Sequence, residues 1–202
     1  MSIRVLVADD QALVRGALVA LLNLEADLDV VAEAADGSTV PALVRKHAVD
    51  VCVLDIQMPV VDGIETARRL RVESPGCRSL MVTTFGRTGY LRRALEAGAS
   101  GFVVKDTPAA QLADAIRKVH RGLRVVDPQL AADSLAVGQN PLTNREREVL
   151  ELAARGLSAA AIAAGLHLSP GTVRNHVSSV IGKTGAASRA EAADIAVERG
   201  WI

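Results

Sequence analysis

"VCVLDIQMP", residues 51–59, runs four apolar residues, Val51 to Leu54, directly into Asp55. An apolar run of this length reads as a strand buried on both faces, and a carboxylate is costly to bury in such a place. Asp55 therefore marks where a buried strand emerges. The same layout recurs along the first two-thirds of the chain. Strand patterns at Ile3–Ala8, Val30–Ala34, Val51–Leu54, Leu80–Val82 and Gly101–Val104 alternate with helical patterns at Ala12–Asn23, Thr39–His47, Gly63–Glu73, Tyr90–Ala97 and Ala109–Arg121. Five such units predict a doubly wound α/β domain, a parallel sheet with helices on both faces. Ligands of open parallel sheets lie beyond the carboxyl ends of the strands, where the strand order reverses.

The polar residues just after each strand are therefore the informative ones. Strand one ends in Asp9–Asp10, strand three in Asp55, strand four in Thr83–Thr84 and strand five in Lys105. All should converge on one rim. Three carboxylates in a small space repel one another, which calls for a divalent cation, and an all-oxygen site with few protein ligands suits Mg²⁺. A lysine opposite the cluster can clamp an anion and a threonine can donate a hydrogen bond to it. A carboxylate so placed is equipped to accept a phosphoryl group, with Asp55 as the nucleophile.

Composition bounds the alternatives. Half of the 202 residues are hydrophobic, which suits compact domains rather than disorder. No apolar run approaches the ~20 residues of a membrane span. The opening MSIRVLVADD enters a strand pattern without a signal-peptide layout, so the expected location is cytoplasmic. Cys52 and Cys77 are too few for a disulfide framework or a zinc site, and Cys52 reads as a small buried hydrophobe. Basic and acidic residues balance at 23 each, so any nucleic-acid argument must be local. Aromatics at 2% argue against single-strand binding by base stacking.

At these residues the chain resembles the receiver domain of two-component response regulators, a (βα)5 flavodoxin-like fold. The matching segments are "VLVADD" (5–10), "LDIQMP" (54–59) with "DG" (62–63), "VTT" (82–84) and "GFVVKD" (101–106). The resemblance implies phosphorylation of Asp55 by a partner histidine kinase. It implies Mg²⁺ held by Asp10, Asp55 and the backbone carbonyl of Gln57, with Asp9 acting mostly through water. It also implies that Thr83 and Phe102 rearrange on phosphorylation, while Gln57 and Phe85 flank the pocket and tune the phosphate lifetime. Two departures stand out: Phe102 replaces the commoner tyrosine, and Asp106 rather than proline follows Lys105.

Residues 1–121 read as this domain and 122–140 as a linker, "GLRVVDPQLAADSLAVGQN", whose first half can extend the sheet domain. From residue 141 to 202 only helical patterns appear. Thr143 with Glu146 forms a capping box, and Ser158 caps a second helix to about Ala164. Gly165 allows a turn, Ser169 with Pro170 starts a third helix, and Ser188 with Glu191 forms a further capping box. Two short helices, a turn and a third helix with one polar face read as a helix-turn-helix in a small all-α domain. On the third helix Val173, Val177 and Val180 form the inward stripe. Arg174, Asn175 and Ser178 face away, as residues that read base edges in a major groove, and Thr172, His176 and Lys183 can reach phosphates.

This half resembles the LuxR-type helix-turn-helix through "LTNREREVLELAARGLS" and "LSPGTVRNHVSSVIGK". Receiver plus this domain is the NarL/FixJ architecture of response regulators. Three segments, "LLNLEADLDVV", "VTTFGRTGY" and "RGWI", resemble a branch that regulates a membrane-lipid desaturase. Two positions depart from the LuxR-type pattern. Gly182 sits inside the third helix at a cost of about 1 kcal/mol against alanine, and "AAAIAAG" (159–165) lacks polar residues that contact DNA. Residues 138–202 carry seven Lys/Arg against six Asp/Glu, so one copy has a weak electrostatic hold on DNA. A homodimer is the expected control point, formed through helices one and five or through the helix-four side.

Two other classes compete. A stand-alone hydrolase would use the same aspartate but needs substrate-binding insertions, and the loops are short. A LuxR-type sensor of small molecules needs a larger ligand-binding domain in place of the aspartate pocket. "GKT" at 182–184 mimics the end of a phosphate-binding loop, but position 177 is valine where that loop needs glycine. The chain is thus expected to be a DNA-binding regulator rather than an enzyme.

Overall fold

Alternation with period two along β1 (Ile3–Ala8) sends Val5 and Val7 into one apolar layer, and Leu6 and Ala8 into the other. The same split recurs in β3 (Val51–Asp55), where Val51 and Val53 face one layer and Cys52 and Leu54 the other. A strand buried on both faces needs a helix layer on each side, which the chain supplies. Helices α1 (Ala12–Leu22) and α5 (Ala109–His120) cover the layer of Val5, Val53, Leu80 and Val103. Helices α2 (Val40–His47), α3 (Gly63–Glu73) and α4 (Thr88–Ala97) cover the layer of Leu6, Leu54, Met81 and Phe102.

The computed structural model describes residues 2–84, 88–128, 131–132 and 140–202. Phe85 and residues 129–130 and 133–139 of the stretch read as a linker lie outside them. The chain divides into two compact units, the sheet unit and a helical unit containing everything from Asn144 onward. Among the described residues no helix is long and apolar enough to cross a membrane.

The sheet is parallel throughout, in the order β2-β1-β3-β4-β5-β6. Strands β2 (Leu28–Ala34), β4 (Arg78–Thr83) and β5 (Gly101–Val104) begin at or before the predicted positions. The sixth, β6 (Val125–Val126), falls inside the stretch read as linker and pairs with β5 through Gly101–Val125 and Phe102–Val126. Two residues are too short to leave an alternation in the sequence. The order reverses between β1 and β3, so the crevice lies above their carboxyl ends. Asp9 and Asp10 follow β1 there, and Asp55 closes β3.

The turn from β3 into α3 is drawn tight beside Asp55. Gly63 N–H donates to the Ile56 carbonyl at 3.0 Å, and Asp62 caps α3 by accepting from the Glu65 N–H at 2.7 Å. A Cβ at Gly63 would lie 2.0 Å from the Asp55 carbonyl oxygen, so only glycine fits at this approach. Just before it, Val60 has φ 63°, and the Val61 N–H reaches back to the Pro59 carbonyl at 2.7 Å, a γ-turn that strains a β-branched residue.

The helical unit contains α6 (Asn144–Ala154), α7 (Ala159–Leu166), α8 (Pro170–Thr184) and α9 (Arg189–Glu198). Both halves of the Thr143–Glu146 capping box form. Ser158 and Ser169 cap α7 and α8. Two local readings are corrected. The reversal after α7 falls at His167, with φ 53° and ψ 46°, while Gly165 stays inside the helix. The Glu191 carboxylate passes the Ser188 N–H and accepts from the Ala187 N–H at 2.7 Å, so that box is only half of the expected form. Val173 and Val180 are buried and α8 packs on two apolar clusters, Val173 with Val149 and Ile162, and Val180 with Leu150 and Ala192.

Two glycines separate strain from propensity. Gly63→Ala should destabilise the sheet unit severely, because the clash is with backbone. Gly182→Ala, whose new methyl meets nothing within 4 Å, should stabilise the helical unit by about 1 kcal/mol. Urea unfolding of each variant measures both, the midpoint falling for the first and rising for the second.

Candidate functional site

The crevice collects what the strand ends supply. Asp9 is 1% exposed and Asp55 6%, whereas Asp10 is open to solvent. One oxygen from each lies within 4.8 Å of the other two. Lys105, brought in by the end of β5, places its Nζ 2.6 Å from Asp9 Oδ2 and 3.2 Å from Asp55 Oδ1. The Lys105 N–H donates to the Thr83 carbonyl at 2.7 Å, which fixes the strand-five exit against the strand-four exit. Burial pushes the Asp55 carboxyl up, the Lys105 charge opposes that, and the Asp9 charge adds to it, with a net rise. For Lys105 burial acts downward, but the close contact with Asp9 and the two carboxylate charges outweigh it and hold the ammonium charged.

The Asp9–Lys105 contact is close without being well aligned. Asp9 Oδ2 and Lys105 Nζ are both buried, and neither has a partner in hydrogen-bond geometry. A buried carboxylate oxygen with no directed donor, beside two further carboxylates, is a donor set that fits a hard divalent cation. The all-oxygen chemistry fits Mg²⁺, with Asp9, Asp10 and Asp55 as the carboxylates that would hold it.

Neighbours that the strand-end reading does not single out hold this cluster in shape. The Asp9 Oδ1 accepts from the Gln11 N–H at 2.9 Å. Arg15, one turn into α1, donates from Nη1 to the Asp9 carbonyl at 2.6 Å and pairs through Nε with Glu33 at 3.2 Å. Its apolar-helix surroundings hide this role in the sequence; a basic residue four beyond Gln11 is the only signal. Gln57 is exposed, and its side-chain amide donates to the Tyr90 hydroxyl of α4 at 3.1 Å. Thr83 is buried, and Phe102 is fully buried on the α4 side with Leu91 and Ala94. The register Met81–Phe102 and Thr83–Val104 sets Thr83 and Phe102 as diagonal neighbours on one sheet face.

The helical unit holds the second group of residues. Arg174, Asn175 and Ser178 are exposed on α8, away from buried Val173 and Val180. Thr172 and His176 are half-buried, and the Thr172 hydroxyl meets the Ser169 hydroxyl at 2.9 Å. Lys183, read as a residue that can reach phosphates, is exposed, and its Nζ lies 2.6 Å from Glu146 Oε2. Glu146 is 4% exposed and also accepts from Ser179 Oγ at 2.6 Å and the Thr143 N–H at 2.7 Å. One carboxylate thus caps α6 and grips α8 at two points. Burial works to raise the Glu146 pKa, but the Lys183, Ser179 and Thr143 hydrogen bonds win and hold it down at about 2.

Residues 5–117 match the family model of the response regulator receiver domain, and residues 140–196 match bacterial regulatory proteins of the luxR family. Among curated proteins, transcriptional regulatory protein YvfU of Bacillus subtilis (strain 168) is 44% identical over 99% of this chain and 100% of its own length. Transcriptional regulatory protein DesR of the same organism is 43% identical over 99% of each chain. The solved structure of response regulator ChrA from a heme-sensing two-component system is 36% identical, covers 100% of this chain and 99% of that one, and has a TM-score of 0.59.

Glu146 carries a prediction for the helical unit. Its folded pKa lies below its ordinary value of 4.5, so its stabilisation is complete above about pH 4.5 and is lost as pH falls toward 2. Glu146→Ala should cost about 2 kcal/mol at neutral pH by leaving the Thr143 N–H and the Ser179 hydroxyl without their acceptor. It should also flatten this part of the acid-unfolding curve. Urea titrations of parent and variant at pH 7 and pH 3 read both effects.

Proposed function

The chain belongs to the response regulators that join a receiver domain to a LuxR-type DNA-binding domain, a family of transcriptional regulators rather than metabolic enzymes, and on that premise we propose how its own residues work. Asp55 accepts a phosphoryl group from a sensor histidine kinase, and the phosphorylated chain pairs with a second copy and binds double-stranded promoter DNA in the cytoplasm. The observation that carries this reading is the buried Asp55 carboxylate set between Asp9, Asp10 and the Lys105 ammonium.

In the transfer step an Asp55 carboxylate oxygen forms a bond to phosphorus as the bond from phosphorus to the kinase imidazole nitrogen breaks. The electron pair leaves with the imidazole, and Asp55 becomes an acyl phosphate. Lys105 then holds a phosphoryl oxygen and the Thr83 hydroxyl donates to another. Mg²⁺, held by Asp9, Asp10, Asp55 and the Gln57 carbonyl, supplies charge neutralisation when bound. Moving Thr83 toward the phosphate frees room beside Phe102, whose ring packs against α4. Gln57 extends the same coupling, because its amide leads from the loop after Asp55 to Tyr90 of α4. A phosphoryl group competing for that amide loosens α4 and sets how long the phosphate is shielded from water.

Pairing through α1 is supported by its surface. Leu13 is 86% exposed, Leu21 43%, and Leu24, just past the helix, 80%, and the spacing puts them on one side. Leucines in this number on one helical side suit a second copy of the same surface. Two copies also answer the weak charge of residues 138–202, since two linked domains on a two-part site gain affinity from effective concentration. On each copy Arg174 and Asn175 read base edges, with Ser178, Thr172 and His176 beside them. Lys183 acts first by fixing the helix that carries these residues. Selection of bound genomic fragments identifies the promoters, and the resemblance to DesR puts membrane-lipid desaturase genes among the first expected.

Incubation with Mg²⁺ and a small phosphodonor should raise the mass seen by light scattering toward a dimer and strengthen promoter binding. Asp55→Asn should abolish both responses; an unchanged response would sink the proposal. Leu13→Asp with Leu21→Asp should remain monomeric while still incorporating phosphate. Arg174→Ala should weaken specific binding at least about tenfold while leaving phosphate uptake and pairing intact.

A further inference from the structure

The two cysteines, 25 residues apart, meet inside the sheet unit: Cys52 Sγ and Cys77 Sγ are 3.5 Å apart. Cys52 is wholly enclosed in β3, whereas Cys77 keeps 9% exposure on the turn that leads into β4. Cys77 also lines an open cavity of about 340 Å³, at the opposite end of the sheet from Asp55. Arg71, Arg78 and Arg124 line the same cavity, and no acid does. One thiol is therefore sheltered, and the other borders a cavity open to small molecules.

We infer that Cys77 is a peroxide-reactive thiol and that Cys52 resolves it, closing a reversible disulfide within the receiver unit. The inference is independent of the phosphotransfer reading. The Cys77 thiolate attacks one oxygen of hydrogen peroxide, the O–O bond breaks, hydroxide leaves, and Cys77 becomes a sulfenic acid. The Cys52 sulfur then attacks the Cys77 sulfur, its proton combines with the departing hydroxide, and water leaves. In sum two thiols and one peroxide give a disulfide and two waters, with both sulfurs oxidised by one electron each. Dithiol reductants reverse it.

Geometry and acidity agree on which sulfur reacts first. The hydrogen bond with Cys52 holds the Cys77 thiol below its ordinary value, against burial and the Asp50 charge, while burial pushes Cys52 well up. Closing the bond needs the sulfurs to approach by about 1.5 Å to reach the disulfide length of ~2.05 Å. The side that can yield is the exposed Pro75–Gly76 turn, where Cys77 N–H bonds only to the nearby Ser74 carbonyl. The product would fasten β3, which carries Asp55, to the start of β4, which carries Thr83.

The test treats the reduced full-length chain with hydrogen peroxide and follows free thiols, intact mass and a peptide map. Both thiols should vanish together, the mass should fall by two hydrogens, and the map should show a Cys52–Cys77 link that dithiothreitol opens. Cys52→Ala should leave Cys77 with one added oxygen, trapped by a sulfenic-acid reagent, and Cys77→Ala should leave Cys52 unreacted. Intact thiols beside oxidised methionine, or disulfides between chains rather than within one, would overturn the inference. The map of the unsubstituted chain decides even where a cysteine variant fails to fold.

Discussion

The Lys105 ammonium, between Asp9 and Asp55, is the constraint on which the upper end of the sheet unit depends. Two carboxylates this deeply enclosed are largely cut off from water, and removing each from water costs several kcal/mol. Lys105 offsets that cost only if β5 ends at the right height beside β4 and β3. The hydrogen bond from its own N–H to the Thr83 carbonyl sets that height. The two apolar layers in turn make the strand ends rigid enough for a mismatch of an ångström to matter. The charge cluster and the core are therefore a single arrangement, and the site comes from the places where the packed strands stop.

Much of this was legible in the residues, for a physical reason. Parallel strands covered on both faces must be apolar throughout, so the first polar residue after each one reports the sheet's upper rim. That rule finds Asp9, Asp10, Asp55, Thr83 and Lys105 without any knowledge of contacts. It fails where the information is not local. Val125–Val126 is a strand only because β5 offers an open edge. Cys52 and Cys77 read separately as a core residue and a loop residue, and only the return of the chain from α3 brings them together. Arg15 looks like a solvent-side residue of α1 until the Asp9 loop is placed beside it.

The helical unit repeats the lesson at smaller scale. Its caps were visible because a cap is a contact over three residues, and all four Ser/Thr caps behave as the spacing requires. The misreadings occur where two local solutions compete. Gly165 is suited to a left-handed turn, but His167 takes that conformation, so α7 runs through the glycine. Glu191 can reach either of two adjacent N–H groups and takes Ala187. Lys183 shows a contact that no local spacing reveals: a buried carboxylate 37 residues earlier pairs with it. The helix that carries Arg174 and Asn175 is thereby tied to α6.

That tie has a consequence for the cell's ionic weather. The salt dependence of DNA binding grows with the number of phosphates a protein neutralises, by about 0.9 in logarithmic slope for each. A domain with a net charge of one, whose single lysine pairs with Glu146, would release few counterions on docking. On the proposed reading, its hold on DNA would change little as the surrounding salt concentration rises, a condition that weakens binding by proteins with many phosphate contacts. The same economy of charge would leave sequence-independent binding weak, so discrimination between sites would rest on contacts to base edges.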